Sequence, residues 1–156
     1  MNPSGWALLI VVDTLVVLIP SLIVGGWAPR WPSTWLQVDR GPLRLHGFET
    51  RDLYRHHGIA RLARILPEGG AAFGGQSKKQ LPGVTAVDLS GYLEEVRRAE
   101  WVHWWSLITW LPLVFFNPWW LGLAFALVVL IVNLIFIIVL RFNRMRLLSI
   151  LARLGT

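Results

Sequence analysis

The sequence predicts a mainly α-helical integral membrane protein with about three transmembrane helices and a small cytoplasmic membrane-proximal cap. Apolar residues make up 54% of the chain and charged residues only 15%, a balance more apolar than soluble domains usually have. Long apolar segments stand at residues 6–27, 101–116 and 119–140. Lys and Arg outnumber Asp and Glu by 15 to 9, and they lie between and after these segments. The chain has no cysteine, which excludes disulfides, thiolate metal sites and a cysteine nucleophile.

The first segment, residues 6–27, is long enough to cross the hydrocarbon core of a bilayer. Its polar residues are Asp13, Thr14 and Ser21. A cleaved signal peptide is the alternative interpretation, but the preceding MNPSG has no Lys or Arg. The apolar stretch is also longer than the core of a signal peptide. We therefore assign residues 1–27 to an N-terminal transmembrane helix.

Residues 28–100 are predicted to form a cytoplasmic cap against the membrane, because they have too few aliphatic runs to build a large core. Alternating apolar residues predict one or two short strands within 35–39 and 42–46. Over 50–66, arginines and aliphatic residues recur at helical spacing, which predicts a basic amphipathic helix at the membrane surface. After a Gly-rich loop, Thr85 starts a helix expected to run on into the second apolar segment.

The second and third segments are separated only by Asn117 and Pro118, which predicts a transmembrane helical hairpin over 101–140. The third segment is the clearest span, with Asn133 as its one polar residue. Eleven of the 15 cations lie in 28–100 and four in a basic tail, 141–156. The positive-inside rule then predicts a multi-pass protein of the cell membrane, with its N-terminus outside and its C-terminus in the cytoplasm.

The first candidate site stands where the second segment enters the membrane. Helical spacing of three places Arg97 beside Glu100 and Glu100 beside His103. A carboxylate that holds a histidine in one tautomer makes the free ring nitrogen a better general base. An interfacial ion pair explains the spacing equally well. A Glu-x-x-His metal site would need a second such pair, which the sequence lacks, so we expect no metal.

The second candidate site is the group of three arginines at 141, 144 and 146, after the third segment. Guanidinium groups bind phosphate or carboxylate through paired hydrogen bonds. A positive-inside anchor is the alternative, and spacing alone favours it. Asn133 either binds a polar atom of a ligand or joins two helices, which is the commoner case.

These motifs together resemble a known family. The runs RAEWVHW at 98–104, FNP at 116–118 and RFNRMR at 141–146, with Asn133 before the last, are similar to the glycosyl-4,4'-diaponeurosporenoate acyltransferases of bacterial carotenoid biosynthesis. The resemblance extends upstream to LPEGGAAFGGQSKK at 66–79. The chain departs from the family pattern at Phe142, where the family often has Tyr.

The resemblance implies esterification of a sugar hydroxyl on a glycosylated carotenoid, or on a related glycolipid, with a fatty acyl group. It implies His103 as general base, Glu100 as its orienting carboxylate, and Arg97 or Arg98 as the charge that stabilises the oxyanion. Other polar side chains are expected to bind the substrates: Lys78, Lys79, Asn117, Asn133, Arg141, Asn143, Arg144 and Arg146. No cofactor is expected beyond an activated acyl donor, such as acyl-CoA, as co-substrate.

The expected partners are membrane lipid, the glycosylated acceptor and the acyl donor. Nucleic acid is not expected as a partner, because the basic residues belong to a largely apolar chain and not to a polar domain. The alternative function is a non-catalytic small subunit that packs pigment or lipid in a larger membrane complex, with ten Trp and apolar helices as its surface. Such a scaffold does not need Glu100, His103 and the arginines.

Overall fold

The computed structural model describes residues 2–66 and 85–155. Five α-helices lie in these ranges: α1 (Pro3–Trp27), α2 (Arg51–His56), α3 (Ile59–Ile65), α4 (Ala86–Ser106) and α5 (Trp119–Arg153). Short 3-10 helices lie at Ala28–Arg30, Ser33–Trp35, Gly41–Leu43 and Leu111–Phe115. The prediction of a mainly α-helical chain is confirmed for the part of the chain that the structure describes.

The short strands predicted within 35–39 and 42–46 are wrong, since the described residues contain no strand. Gly41 adopts a φ of 54°, a left-handed value that interrupts an extended chain. Pro42 follows, and it lacks the N–H that a strand would donate. Single apolar residues of the pattern are buried instead of one whole face of a strand, and Leu43 is fully buried.

The amphipathic helix predicted over 50–66 is divided into α2 and α3. The side chain of Thr50 caps α2 by accepting a backbone hydrogen bond of 3.2 Å. Gly58 has a φ of 72°, and this left-handed conformation ends α2 and redirects the chain into α3. Tyr54 and Ala63 then pack against α5, so the pair of helices rests on protein.

Helix α4 packs antiparallel along α5. The predicted start of α4 is confirmed, because the side chain of Thr85 caps it. Midway along α4, Val96 belongs to the same hydrophobic cluster as Leu147. Farther along α4, His103 meets Asn133, so residue numbers rise on one helix as they fall on the other.

Helix α1 lies beside this pair and runs parallel to α5. The ring of Trp6 stands 5.5 Å from the ring of Trp120 at the start of both helices. Farther along, Val17 packs against Val129. The first apolar segment is thus a packed helix of the same three-helix body.

Two helices, α1 with its following 3-10 turn and α5, are long and apolar enough to cross a membrane. Both carry exposed aliphatic side chains, including Leu8, Ile23, Val128 and Ile131. A soluble protein would bury most of such a surface. These two helices associate the chain with the membrane.

The predicted second span, 101–116, is not one continuous helix. Helix α4 ends at Ser106, and a 3-10 helix follows at Leu111–Phe115. The hydroxyl of Thr109 donates to the carbonyl of Ser106 at 2.9 Å. Pro112, which lacks an N–H, cannot extend the α-helical hydrogen bonding. Among the described residues two helices have spanning length, so the predicted third span is not confirmed.

Candidate functional site

A cavity of about 520 Å³ lies between α1, α4 and α5. Its wall on α4 extends from Tyr92 to Ser106, which at 1.5 Å per residue is roughly 20 Å along the helix. Most of the wall is aliphatic. Polar side chains from α4 and α5 also line it, among them Glu95, Arg98, His103, Ser106, Asn133 and Asn143. The cavity is therefore an elongated apolar space with a few polar groups, as binding sites for small molecules usually are.

The orientation of His103 in the cavity wall is set by Asn133. The Nδ1 atom of His103 is 2.9 Å from Oδ1 of Asn133, and Nδ2 of Asn133 donates to the carbonyl of Val129 at 2.8 Å. Since the amide nitrogen is used by a carbonyl, the amide oxygen faces the ring and accepts from Nδ1–H. The neutral imidazole therefore keeps its proton on Nδ1 and has an unprotonated Nε2.

A second contact holds the same ring. His103 stacks on Phe136, with centroids 4.6 Å apart and planes 4° from parallel. Phe136 is also part of the cavity wall. One hydrogen bond and one stacked ring fix the imidazole plane, which leaves Nε2 as its available acceptor.

Glu100 does not make the expected contact with His103. Its Oε1 accepts a hydrogen bond of 2.9 Å from Nε of Arg141, and its Oε2 is 3.1 Å from Arg144. The side chain is fully buried, and the cavity wall does not include it. The residue that orients the histidine in this structure is Asn133.

Glu100 is the centre of a buried ion network that joins α4 and α5 to the segment before α2. The network consists of three carboxylates and three guanidinium groups: Asp39, Glu49, Glu100, Arg97, Arg141 and Arg144. Nε of Arg97 donates to Oδ1 of Asp39 at 2.7 Å, and the same oxygen is 2.8 Å from Arg144. Arg141 donates to Glu49 and to the carbonyl of Pro42. The formal charges of the six groups cancel.

The carboxylate of Glu49 is stabilised in its ionised form. Burial alone would raise the pKa of Glu49, but hydrogen bonds from Arg141 and Tyr54 outweigh burial and hold that pKa below its ordinary 4.5. The hydroxyl of Tyr54 donates to Oε2 of Glu49 at 2.8 Å. Burial and this hydrogen bond raise the pKa of Tyr54 well above its ordinary 10. Glu49 is thus charged and Tyr54 neutral at physiological pH.

The arginines that the sequence assigned to the substrates are mostly used within the network. Arg144 is 0% exposed, and Arg97 and Arg141 are buried as well. None of these three lines the cavity. Arg146 is exposed, with its guanidinium 5.9 Å from the ring of Phe142. This arrangement favours a structural role for the buried arginines over contact with the donor.

Asn117, another predicted substrate contact, lies away from the cavity wall. Its Nδ2 donates to Oδ1 of Asp13 at 2.9 Å, and Asp13 is fully buried. The pair ties the loop before α5 to the middle of α1. Asn117 is in this way part of the helix packing.

Two predicted contacts do line the cavity. Arg98 and Asn143 both belong to its wall, and Arg98 donates to Glu95. Lys78 and Lys79 lie outside the described residues. Within 2–66 and 85–155, no group of three or more His, Asp or Glu side chains is arranged to hold a metal ion.

Comparison with known proteins agrees with the motifs. A family model described as glycosyl-4,4'-diaponeurosporenoate acyltransferase matches residues 32–153. The chain belongs to this family. It is accordingly an acyltransferase, and its acceptor class is a glycosyl diaponeurosporenoate. No curated protein and no solved structure matches it.

The matched range of this acyltransferase contains the whole ion network and both residues of the His103–Asn133 pair. Helix α1 supplies one wall of the cavity but lies before that range. Sequence reasoning missed Asp39 and Glu49, since neither has a cationic neighbour at helical spacing. A signal for Asn133 was present, because it is the one polar residue of its apolar segment.

Proposed function

We propose that the protein is a membrane-bound O-acyltransferase that transfers a fatty acyl group to a sugar hydroxyl of a glycosylated carotenoid. The transfer takes place in the cavity between α1, α4 and α5, with His103 as general base. The observation that carries this proposal is the hydrogen bond between His103 and Asn133, which leaves Nε2 unprotonated in the wall of an apolar cavity.

In the proposed reaction, the sugar hydroxyl oxygen attacks the carbonyl carbon of the activated acyl donor. Nε2 of His103 takes the hydroxyl proton as the new C–O bond forms. The tetrahedral intermediate then collapses, the bond to the leaving group breaks, and His103 returns the proton to that group. Asn133 keeps Nδ1 protonated throughout, as the amide does in Cys-His-Asn proteases.

The acceptor and the acyl chain suit this cavity chemically. Aliphatic side chains of α1 and α5, such as Leu22, Val128 and Val132, make up much of the wall. Such a wall accepts apolar chains without the desolvation cost that burying a polar ligand would carry. A carotenoid and a fatty acyl chain, both soluble in the bilayer, are the substrates that such a wall favours.

The proposed topology keeps the N-terminus outside and the C-terminus in the cytoplasm of a multi-pass protein. The parallel course of α1 and α5 supports it, because both helices then cross in one direction. The basic segment 28–66 follows the C-terminal end of α1, and the basic residues of 141–155 lie in the C-terminal part of α5. The positive-inside rule assigns that side to the cytoplasm. Residence in a larger membrane complex stays a prediction.

The test of the proposal is His103→Ala in purified protein in nanodiscs, with a glycosylated carotenoid and an acyl donor. We expect turnover to fall roughly a hundredfold or more, the usual contribution of a general base. The matched control is His56→Ala, which removes an exposed histidine of α2 and should leave turnover unchanged. If His103→Ala transfers acyl groups at the wild-type rate, His103 is not the base.

A further inference from the structure

Among the described residues, Arg98 is the one Lys or Arg side chain that lines the cavity. It stands outside the ion network, and its contact is to Glu95, three residues earlier on α4. The side chain is 12% exposed, and its Nε is buried without a hydrogen-bond partner. A guanidinium has five N–H donors. The contact with one carboxylate oxygen therefore leaves donors for a ligand inside the cavity.

The contact with Glu95 also fixes where this positive charge lies. The guanidinium of Arg98 is turned toward the N-terminus of α4, away from His103, and lies at the level of Glu95. Eight residues separate that level from His103, which is roughly 12 Å along the helix axis. The side chains of Ala99 and Val102 line the cavity between the two levels. The distance is too long for a guanidinium that stabilises an oxyanion beside His103.

The same distance restricts the kind of donor whose negative charge Arg98 can bind. In a phospholipid, the glycerol between acyl carbonyl and phosphate has the length of about two extended residues, roughly 7 Å. A pantetheine arm has the length of about four extended residues, roughly 14 Å, between its sulfur and its phosphate. The second length fits the separation between Arg98 and His103, and the first does not.

We propose that Arg98 is the phosphate subsite of the acyl donor, and that the donor is a thioester of phosphopantetheine. This inference rests on the proposed function, because it takes the position of His103 as the place of acyl transfer. The thioester carbon lies beside Nε2 of His103, and the arm runs past Ala99 and Val102. The acyl chain occupies the aliphatic end of the cavity beyond His103, where Val129 lines the wall. Acyl-CoA and acyl carrier protein share this phosphopantetheine chemistry.

Glu95 has a defined part in such a subsite. In the absence of donor it accepts from Arg98 and so holds the guanidinium at the cavity wall. Its side chain is 24% exposed, so it can turn toward solvent when a phosphate takes its place. The carboxylate also repels the phosphate. Removing its charge should strengthen donor binding, whereas removing the charge of Arg98 should weaken it.

The experiment compares two donors that differ only in the phosphate: an acyl phosphopantetheine and the corresponding acyl pantetheine. In wild type, we expect the phosphate to lower KM about tenfold, the effect of one hydrogen bond to a charged group. Arg98→Gln should abolish that difference, so that KM for the phosphorylated donor rises to the value for the acyl pantetheine. Glu95→Gln should lower KM for the phosphorylated donor. Arg61→Gln, an exposed arginine of α3, is the control for a general loss of positive charge.

The outcomes separate this inference from the proposed function. Equal KM values for the two donors in wild type, or a phosphate preference that persists in Arg98→Gln, would overturn the subsite. Transfer from a phospholipid but from neither thioester would overturn the donor class. In both cases a large loss of turnover in His103→Ala would still support the proposed function. Assays with acyl-CoA and with acyl carrier protein then identify the source, and use of either one supports the subsite.

Discussion

Replacing Glu100 by Gln removes one negative charge from the centre of the ion network and keeps the size of the side chain. Arg141 would retain Glu49, but Arg144 would retain only Asp39, which it shares with Arg97. The network would then carry a net positive charge in a site where Arg144 is 0% exposed. Removing one partner of a buried ion pair costs about 3–5 kcal/mol. We expect Glu100→Gln to lower the free energy of unfolding by about that amount.

The assay follows denaturant unfolding in detergent by the fluorescence of the ten Trp residues and measures turnover per folded molecule. Since Asn133 orients His103, turnover per folded molecule should remain close to wild type. Glu94→Gln is the matched control, because Glu94 is a carboxylate of the same helix outside the network. Glu94 is partly exposed, and a change at such a position outside the network should alter stability by no more than about 0.5 kcal/mol. Wild-type stability of Glu100→Gln, with turnover as low as in His103→Ala, would refute this reasoning and support Glu100 as the orienting carboxylate.

Two further predictions concern the same residues. Asn133→Leu should lower turnover about tenfold or more in wild type but change nothing in the His103→Ala background; additive losses in the double variant would contradict a shared role. Hydrogen bonds from Arg141 hold the pKa of Glu49 in the folded protein below 4.5. The ionised carboxylate therefore stabilises the fold above that pH. This contribution is lost as the pH falls through the folded-state pKa. Melting temperatures between about pH 7 and about pH 3 should therefore show an acid-side loss, smaller in Glu49→Gln.

The sequence predicts the helices that carry the site because their signals are local. Thr85 caps α4, and the third apolar segment forms the greater part of α5. The errors occur where one residue overrides a longer pattern. Gly58 divides the helix predicted over 50–66 through its left-handed backbone, and Pro112 prevents a continuous helix over 101–116.

The partners of the arginines could not be predicted in the same way, because tertiary contacts select them. Arg97 pairs with Asp39 across 58 positions of the chain, and Arg141 with Glu49 across 92. No local spacing contains that information. Asp39 and Glu49 belong to a segment for which the sequence predicted short strands and a surface helix. Their burial against α4 and α5 could therefore not be predicted from the sequence.

The separation of Glu100 from His103 has a simple geometric cause. Residues three apart on an α-helix differ by roughly 60° around its axis. That spacing allows contact between long side chains, but it also allows the two to face different neighbours. On α4, Glu100 faces the arginines of α5, whereas His103 faces Asn133. Helical spacing thus predicted that the two residues lie on one helix but did not determine their partners.

The exposure of each carboxylate decides which arginines can serve a ligand. Arg144 and Glu100 are both 0% exposed, so a phosphate could replace Glu100 only by leaving that carboxylate buried without its charge partner, which costs several kcal/mol. Glu95, at 24% exposure, keeps contact with water when Arg98 leaves it, so separating this pair costs less than separating Glu100 from Arg144. An anion can therefore compete for Arg98 but not for Arg144. This difference in exposure, rather than the number of arginines, makes the part of the cavity beside Arg98 the place where a charged donor binds.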